Sequence, residues 1–366
     1  MRKPAALYPF CSELLPVVRH FEKLQEQYYW ERVISPEGLG LVGKDAGHAC
    51  NHRGTGIFVS DTSDLSSQPW DKLFITEIND IDIVDVGMET RTVLWQALEL
   101  GRDVSYFSNS KNNIPEEIWN YNKVYSQKIN FRIGNICNGN KVIYHRYGEV
   151  RTPVVLVGGI FTEADVLEVL LQLVVKVRED GLNPMVLTRC SIGQAFGFHS
   201  MNHIFGNLNL SESEKIVELN LYIRNLEFYE MPDLIIMEAP DAIMQFNEYD
   251  PNGFGIHTYM LCHAIPPDYF ICCVPCILGN EEFIEAISYD MAIRLGAQIS
   301  AVHVSNLLVD PSDLFQNYKL SYARRNLKAV RDQLKRKKED SKILMCDVVE
   351  DSVDEIYKLL LQEVML

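Results

Sequence analysis

The sequence predicts an α/β chain: a Rossmann-like N-terminal domain followed by a second domain built on a doubly wound parallel sheet. Three observations carry this. Strand-like apolar runs alternate with helix-period segments along most of the 366 residues. Several runs, such as Pro153 to Val157 and Tyr269 to Pro275, are apolar at every position, as strands covered on both faces must be. One of them ends in a glycine pair just where a helix is expected to start.

The N-terminal elements follow in order. Ala5 to Phe10 reads as a strand. Ser12 to Trp30 reads as a helix with apolar residues at Leu14, Leu15, Val18, Phe21 and Leu24. A glycine-rich stretch runs from Pro36 to Gly56. Strands are expected at Gly56 to Ser60, Leu73 to Glu77 and Val104 to Phe107, with a helix over Asp85 to Leu100. This assigns 1–108 to the Rossmann-like domain. Polar residues and Pro115 mark a linker, and two short apolar runs around Asn138-Gly139 signal a hairpin. Residues 109–150 are therefore expected to be a linker and hairpin connector, leaving 151–366 as the second domain.

In that domain the strands are Pro153 to Val157, Met185 to Thr188, Asp233 to Met237, Tyr269 to Pro275, Ile299 to Val304 and Ile343 to Val348. Helices are expected from Thr162 to Glu179, around Leu219 to Leu226, over Asn280 to Leu295 and over Ser352 to Val364.

A strand, a glycine pair and a helix start form an anion site in principle, through free N–H groups and the helix dipole. A working phosphate loop reads G-x-x-x-x-G-K-[ST], with the lysine on the β/γ-phosphates. Here the run is Gly158-Gly159-Ile160-Phe161-Thr162-Glu163-Ala164-Asp165, with no lysine. Glu163 and Asp165 would repel a triphosphate, and Thr162 with Asp165 is shaped like a capping box. The phosphate-loop-like residues are thus Gly158, Gly159, Thr162 and Glu163. Nucleotide with Mg²⁺ is disfavoured, and no cofactor is assigned. A second phosphate or metal element is expected at Glu238 and Asp241, where an apolar strand ends in acid. Arg189 and Ser191 are expected at the carboxyl edge of the sheet, in a cleft.

Other clusters yield less. His199 and His203 would share a helix face, and His48, Cys50 and His52 alternate in the glycine-rich loop, but neither set completes a metal site. The nine cysteines fit buried thiols, and Cys273 with Cys276 has no second C-x-x-C. Arg324, Arg325, Lys328, Arg331, Lys335, Arg336, Lys337 and Lys338 are placed on one solvated helix. A net charge of −16 argues against nucleic acid and membrane surfaces. No apolar run reaches the ~20 residues of a membrane span, and no signal peptide is evident, so a cytoplasmic location is expected.

Residues 150–305 resemble, in layout, the P-loop family of nitrogenase iron protein, dethiobiotin synthetase and MinD-like ATPases, through the glycine pair and the Glu238-Ala239-Pro240 turn. The second domain is accordingly P-loop-like but degenerate, and the resemblance implies a homodimer. Ala6-Leu7-Tyr8-Pro9-Phe10, Ser35-Pro36-Glu37-Gly38 and Val157 to Glu163 resemble a clostridial family of natural-product peptide maturation system proteins. That resemblance implies a role in modifying a ribosomally made peptide; with two α/β domains around a phosphate loop that lacks its lysine, an accessory or scaffold role is expected, binding a precursor peptide or a maturation enzyme, without ATP hydrolysis. A second reading stays open: a nucleotide- or acyl-CoA-dependent ligase or acyltransferase, since the two-domain plan is similar to a bacterial family of amino-acid N-acetyltransferases. Whether the chain is an enzyme is undecided by sequence, and no catalytic residue is assigned.

Overall fold

The computed structural model describes residues 2–65, 69–77, 86–109, 114, 116, 118–120, 129–133, 142–247, 254–310, 320–335 and 343–364. The chain divides into two compact units, Met1–Ile136 with Cys190–His203, and Cys137–Arg189 with Ile204–Leu366.

The first unit contains β1 (Lys3–Tyr8), α1 (Leu15–Leu24), β2 (Tyr28–Ile34), a short α2 (Ala46–Ala49), β3 (Val59–Ser60), β4 (Lys72–Thr76), α3 (Val86–Glu99), β5 (Asp103–Ser108) and β6 (Ile129–Ile133). Its six strands are parallel and lie in the order β3-β2-β1-β4-β5-β6. This is the Rossmann-like α/β arrangement. Alternation along each strand sorts side chains between two faces. One face carries Ala6, Leu73, Ile75, Val104 and Tyr106, which pack with Val93, Leu94 and Ala97 of α3. The other carries Trp30 and Phe74, against which Phe21 of α1 packs; Phe21 and Trp30 stack at 3.7 Å.

Two expectations are corrected here. The helix expected over 12–30 stops at Leu24. Gln25 turns extended, its side-chain carbonyl accepts the N–H groups of Gln27 and Tyr28, and the aromatic and β-branched run from Tyr28 enters the sheet. Ile129–Ile133 is a parallel strand beside β5; the hairpin turn expected at Asn138-Gly139 lies outside the described residues. The bounds 1–108, 109–150 and 151–366 also differ from the two units: the first runs on to Ile136 and takes back Cys190–His203, and the second begins at Cys137. That return segment holds a 3-10 helix, Ser191–Phe196, and the short β9 (His199–Ser200).

The second unit runs β7 (Val154–Gly159), α4 (Val166–Glu179), β8 (Pro184–Thr188), α5 (Glu212–Glu230), β10 (Leu234–Glu238), α6 (Ile256–Ala264), β11 (Tyr269–Pro275), α7 (Glu281–Arg294), β12 (Ala301–Ser305), β13 (Leu307–Asp310), β14 (Ser321–Arg324), α8 (Leu327–Lys335), β15 (Leu344–Cys346) and α9 (Asp354–Val364). Parallel strands of this unit lie in the order β15-β12-β11-β7-β10-β8, and every residue of β7, β8, β10, β11 and β12 is buried. Burial on both faces is why these runs lack alternation. The chain moves outward from β7 to β8, returns to β10, then crosses to β11 on the other side of β7. The carboxyl end of β7 is therefore the switch point, where an open α/β sheet forms its crevice. Local signals place the helices: α5 starts with a Ser211–Glu214 capping box, and Asn280 caps α7 by accepting from the Phe283 N–H.

Candidate functional site

At the switch point, Gly158 and Gly159 are the last residues of β7, inside the sheet rather than in the turn that follows. Both are needed for packing. A Cβ on Gly158 would lie 2.8 Å from the Ala239 methyl, and one on Gly159 would lie 2.7 Å from the Phe161 carbonyl oxygen. The chain thus folds its own carbonyl back over Gly159. A second backbone oxygen, that of Cys273, is 2.9 Å from the same position. A phosphate cradle requires N–H groups, not carbonyls, to face inward.

The helix expected at Thr162 begins at Val166, and the capping box is not formed. The Thr162 hydroxyl donates instead to the Glu163 carboxylate at 3.2 Å. Asp165 takes the left-handed conformation, φ 63°, which aspartate tolerates better than most residues. Its carboxylate points across the strand ends. One oxygen accepts from Arg324 Nη1 at 2.8 Å; the other accepts from the Ser305 hydroxyl and from His303 Nε2 at 3.3 Å. The tautomer of His303 follows from its other nitrogen. Nδ1 faces the Val348 N–H at 3.1 Å and must accept, so the ring proton is on Nε2, toward Asp165. Arg324 also donates to the Asn306 side-chain carbonyl at 2.8 Å and to the Glu163 carbonyl at 3.4 Å.

Three distant stretches thus meet at Asp165: the turn after β7, the end of β12, and β14. Sequence reasoning missed this group. It placed Arg324 on a basic helix; Arg324 is instead the last residue of an antiparallel strand, and the helix is Leu327–Lys335, with 336–340 outside the described residues. The available signal was weak: two polar residues, His303 and Ser305, at alternate positions of an otherwise apolar strand.

The second predicted element is next to the first. β10 lies beside β7, with Glu238 opposite Val157. Glu238 is buried and accepts from the Thr188 hydroxyl, from the Arg189 N–H at 3.0 Å and from Arg189 Nε at 3.3 Å. Arg189 is therefore the ion-pair partner of Glu238. Asp241 does a different job. It accepts from the N–H groups of His257 and Thr258 and from the Thr258 hydroxyl, at 3.1, 2.9 and 2.6 Å. It so supplies the cap that Gly255, at the start of α6, cannot.

Ser191 belongs to the first unit. Its hydroxyl shares a 2.7 Å hydrogen bond with Thr76 and accepts from the Glu77 N–H at 3.3 Å. Beside it the Glu77 carboxylate accepts from the Ser108 hydroxyl and the Asn109 N–H, closing the carboxyl ends of β4 and β5.

The histidine sets separate. His199 is in β9, whereas His203 is in a helical turn, and burial lowers the His203 imidazole to about 4. His48 lies in α2, which Asp45 caps. Among the described residues no three histidine, cysteine or acidic side chains form a metal-binding group. No helix among them is long and apolar enough to cross a membrane.

No family model matches the chain, and no curated protein matches it in sequence. Among solved structures it is similar to the crystal structure of a DUF1611 family protein from Anabaena variabilis ATCC 29413, with a TM-score of 0.61 and 11% identity over 99% of this chain and 100% of that one. At that identity the likeness concerns the fold: two α/β units with parallel sheets, in one chain.

Proposed function

We propose that this chain is an accessory protein in the maturation of a ribosomally made peptide, holding a precursor peptide or a partner enzyme without hydrolysing ATP. The single observation that carries the non-hydrolysing part is the commitment of charge at the switch point. Arg324 is held by Asp165, and Arg189 by Glu238, both within the protein. A triphosphate or a divalent cation would have to break an internal ion pair that is mostly removed from water, at a cost of several kcal/mol. The peptide assignment rests on the sequence resemblance, as does the homodimer. The test is binding of the purified protein to ribosomal precursor peptides and to the enzymes that modify them. Modification of such a peptide by this protein alone, or failure to bind either kind of partner, refutes the reading.

A nucleotide- or acyl-CoA-dependent enzyme is the alternative. The adjacency of the Glu238 strand to the glycine strand supports it, because a phosphate site needs both elements at one sheet edge. Thermal unfolding with ATP, ADP or acetyl-CoA, each with Mg²⁺, separates the two. Ligand at about 100 times its dissociation constant stabilises by roughly 2.7 kcal/mol. A rise in Tm moves the enzyme reading ahead; no change with any of them supports the accessory role.

A further inference from the structure

Helix α7 is apolar on two opposite sides. Ile284, Ile287 and Met291 are buried. Tyr289 and Ile293, four residues apart and so on one face, point the other way: Tyr289 is 72% exposed and Ile293 67%. Ala286, just under a turn before Tyr289, is exposed as well. A helix that only covers a sheet carries charge on its outer face, as α1 does with Glu22 and Lys23. A helix apolar on both sides is built to be covered on both.

The apolar surface continues beyond α7. The Arg294 guanidinium donates to the Phe254 carbonyl at 3.3 Å, which brings the turn Phe254–Ile256 within an arginine's length of Ile293. Phe254 and Ile256 are about half exposed, and so is Tyr259, three residues further along α6. The charge on α7 is mostly of one sign. Glu281, Glu282, Glu285 and Asp290 stand against Arg294 alone, and Arg294 is already taken by Asp290, at 3.8 Å, and by Phe254. Glu282 makes no hydrogen bond or ion pair with any described residue. Exposed apolar side chains rimmed by charge mark an interaction surface. A second copy of this chain would set the same carboxylates against these, whereas a partner of opposite sign would offset them.

We propose that this surface docks a cationic amphipathic helix of another polypeptide. Leucine-like side chains at three- and four-residue spacing would lie against Tyr289, Ile293 and Ile256, and lysine or arginine at the edge would face Glu282 and Glu285. The apolar contacts supply the affinity and the carboxylates select the sign of the partner. The surface belongs to the second unit and does not depend on the accessory role proposed above.

Fluorescence anisotropy of the full chain with a labelled leucine–lysine helix of about five turns, in about 0.15 M salt, tests this. Oligolysine of equal charge has no apolar face, and a leucine–glutamate helix has the opposite charge. The leucine–lysine helix should bind saturably, and each control should bind at least about tenfold more weakly. Ile293→Asp separates docking from plain charge attraction. It adds a carboxylate and removes an anchor, so it should weaken binding about tenfold, where attraction by charge alone would strengthen it. Tyr289→Ser should weaken binding by a similar factor. Glu282→Gln combined with Glu285→Gln should weaken it and flatten its salt dependence. All four positions are exposed, so the circular dichroism should not change. The proposal is overturned by the absence of saturable binding up to about 100 μM, by either control binding as tightly as the leucine–lysine helix, or by binding that Ile293→Asp and Tyr289→Ser both leave intact.

Discussion

Replacing Arg324 by methionine removes the cation from Asp165 and keeps most of the side-chain volume. The Asp165 side chain is 5% exposed and that of Arg324 19%, so the pair is largely removed from water. Breaking a buried pair by deleting one partner costs about 3–5 kcal/mol, because the remaining charge is stranded. Asp165 keeps two donors, Ser305 and His303, which places the expected loss at the lower end, about 3 kcal/mol. Asp165→Asn keeps a residue that tolerates the left-handed backbone and removes the charge instead. The double variant strands neither charge, so it should be less destabilised than the sum of the singles, by about 2 kcal/mol. Urea unfolding of the four proteins, read by circular dichroism at the transition of the second unit, measures this coupling. Hydrogen exchange at Tyr322 to Arg324 should also accelerate in Arg324→Met, since that side chain ties β14 to the turn after β7. A loss under about 0.5 kcal/mol, the usual range for a surface substitution, would refute the reasoning, as would strict additivity.

Gly159→Ala would set a methyl against two backbone carbonyls that cannot move aside, and should destabilise by at least the ~1–3 kcal/mol typical of overpacking, measured by the same unfolding. Asp45 gives a pH effect with a definite sign. Burial alone would raise its pKa, but N–H donors from Thr55, His48, Gly56 and Gly47 outweigh that and hold it below 3.8. The folded value is the depressed one, so its contribution is full above pH ~4 and is lost as pH falls through the folded pKa. Asp45→Asn should therefore narrow the difference in stability of the first unit between pH 6 and pH 3, read from urea midpoints. Thiol labelling of the native protein should reach half-buried Cys190 before Cys11 and Cys262, whose thiols burial pushes up to about 12, and before Cys272 and Cys273, pushed higher still; mass spectrometry of timed samples reads the order.

Much of the fold was legible in the chain because its signals are local. Runs such as Val154–Val157 and Tyr269–Val274 are apolar at every position, and only strands buried on both faces ask for that. The Ser211–Glu214 box and Asn280 mark helix starts through bonds spanning three residues. Tyr28 to Trp30 misled because aromatic residues fit a helix period as readily as a strand, and only pairing with β1 decides between them. The glycine pair Gly158-Gly159 was visible in the chain, but its place at the switch point and the chemistry beside it were not. Asp165 could be read as a cap, since nothing near it in sequence announces Arg324, 159 residues away, or His303, 138 away. Likewise Arg189 and Glu238 are each visible alone and become a closed pair only when β8 and β10 lie side by side. By itself the sequence determined which segments are strands and helices, because propensity, periodicity and capping act over a few residues. The tertiary structure decided which charges meet, because Coulomb and hydrogen-bond contacts depend on distance in space, and distance in space is set by sheet order.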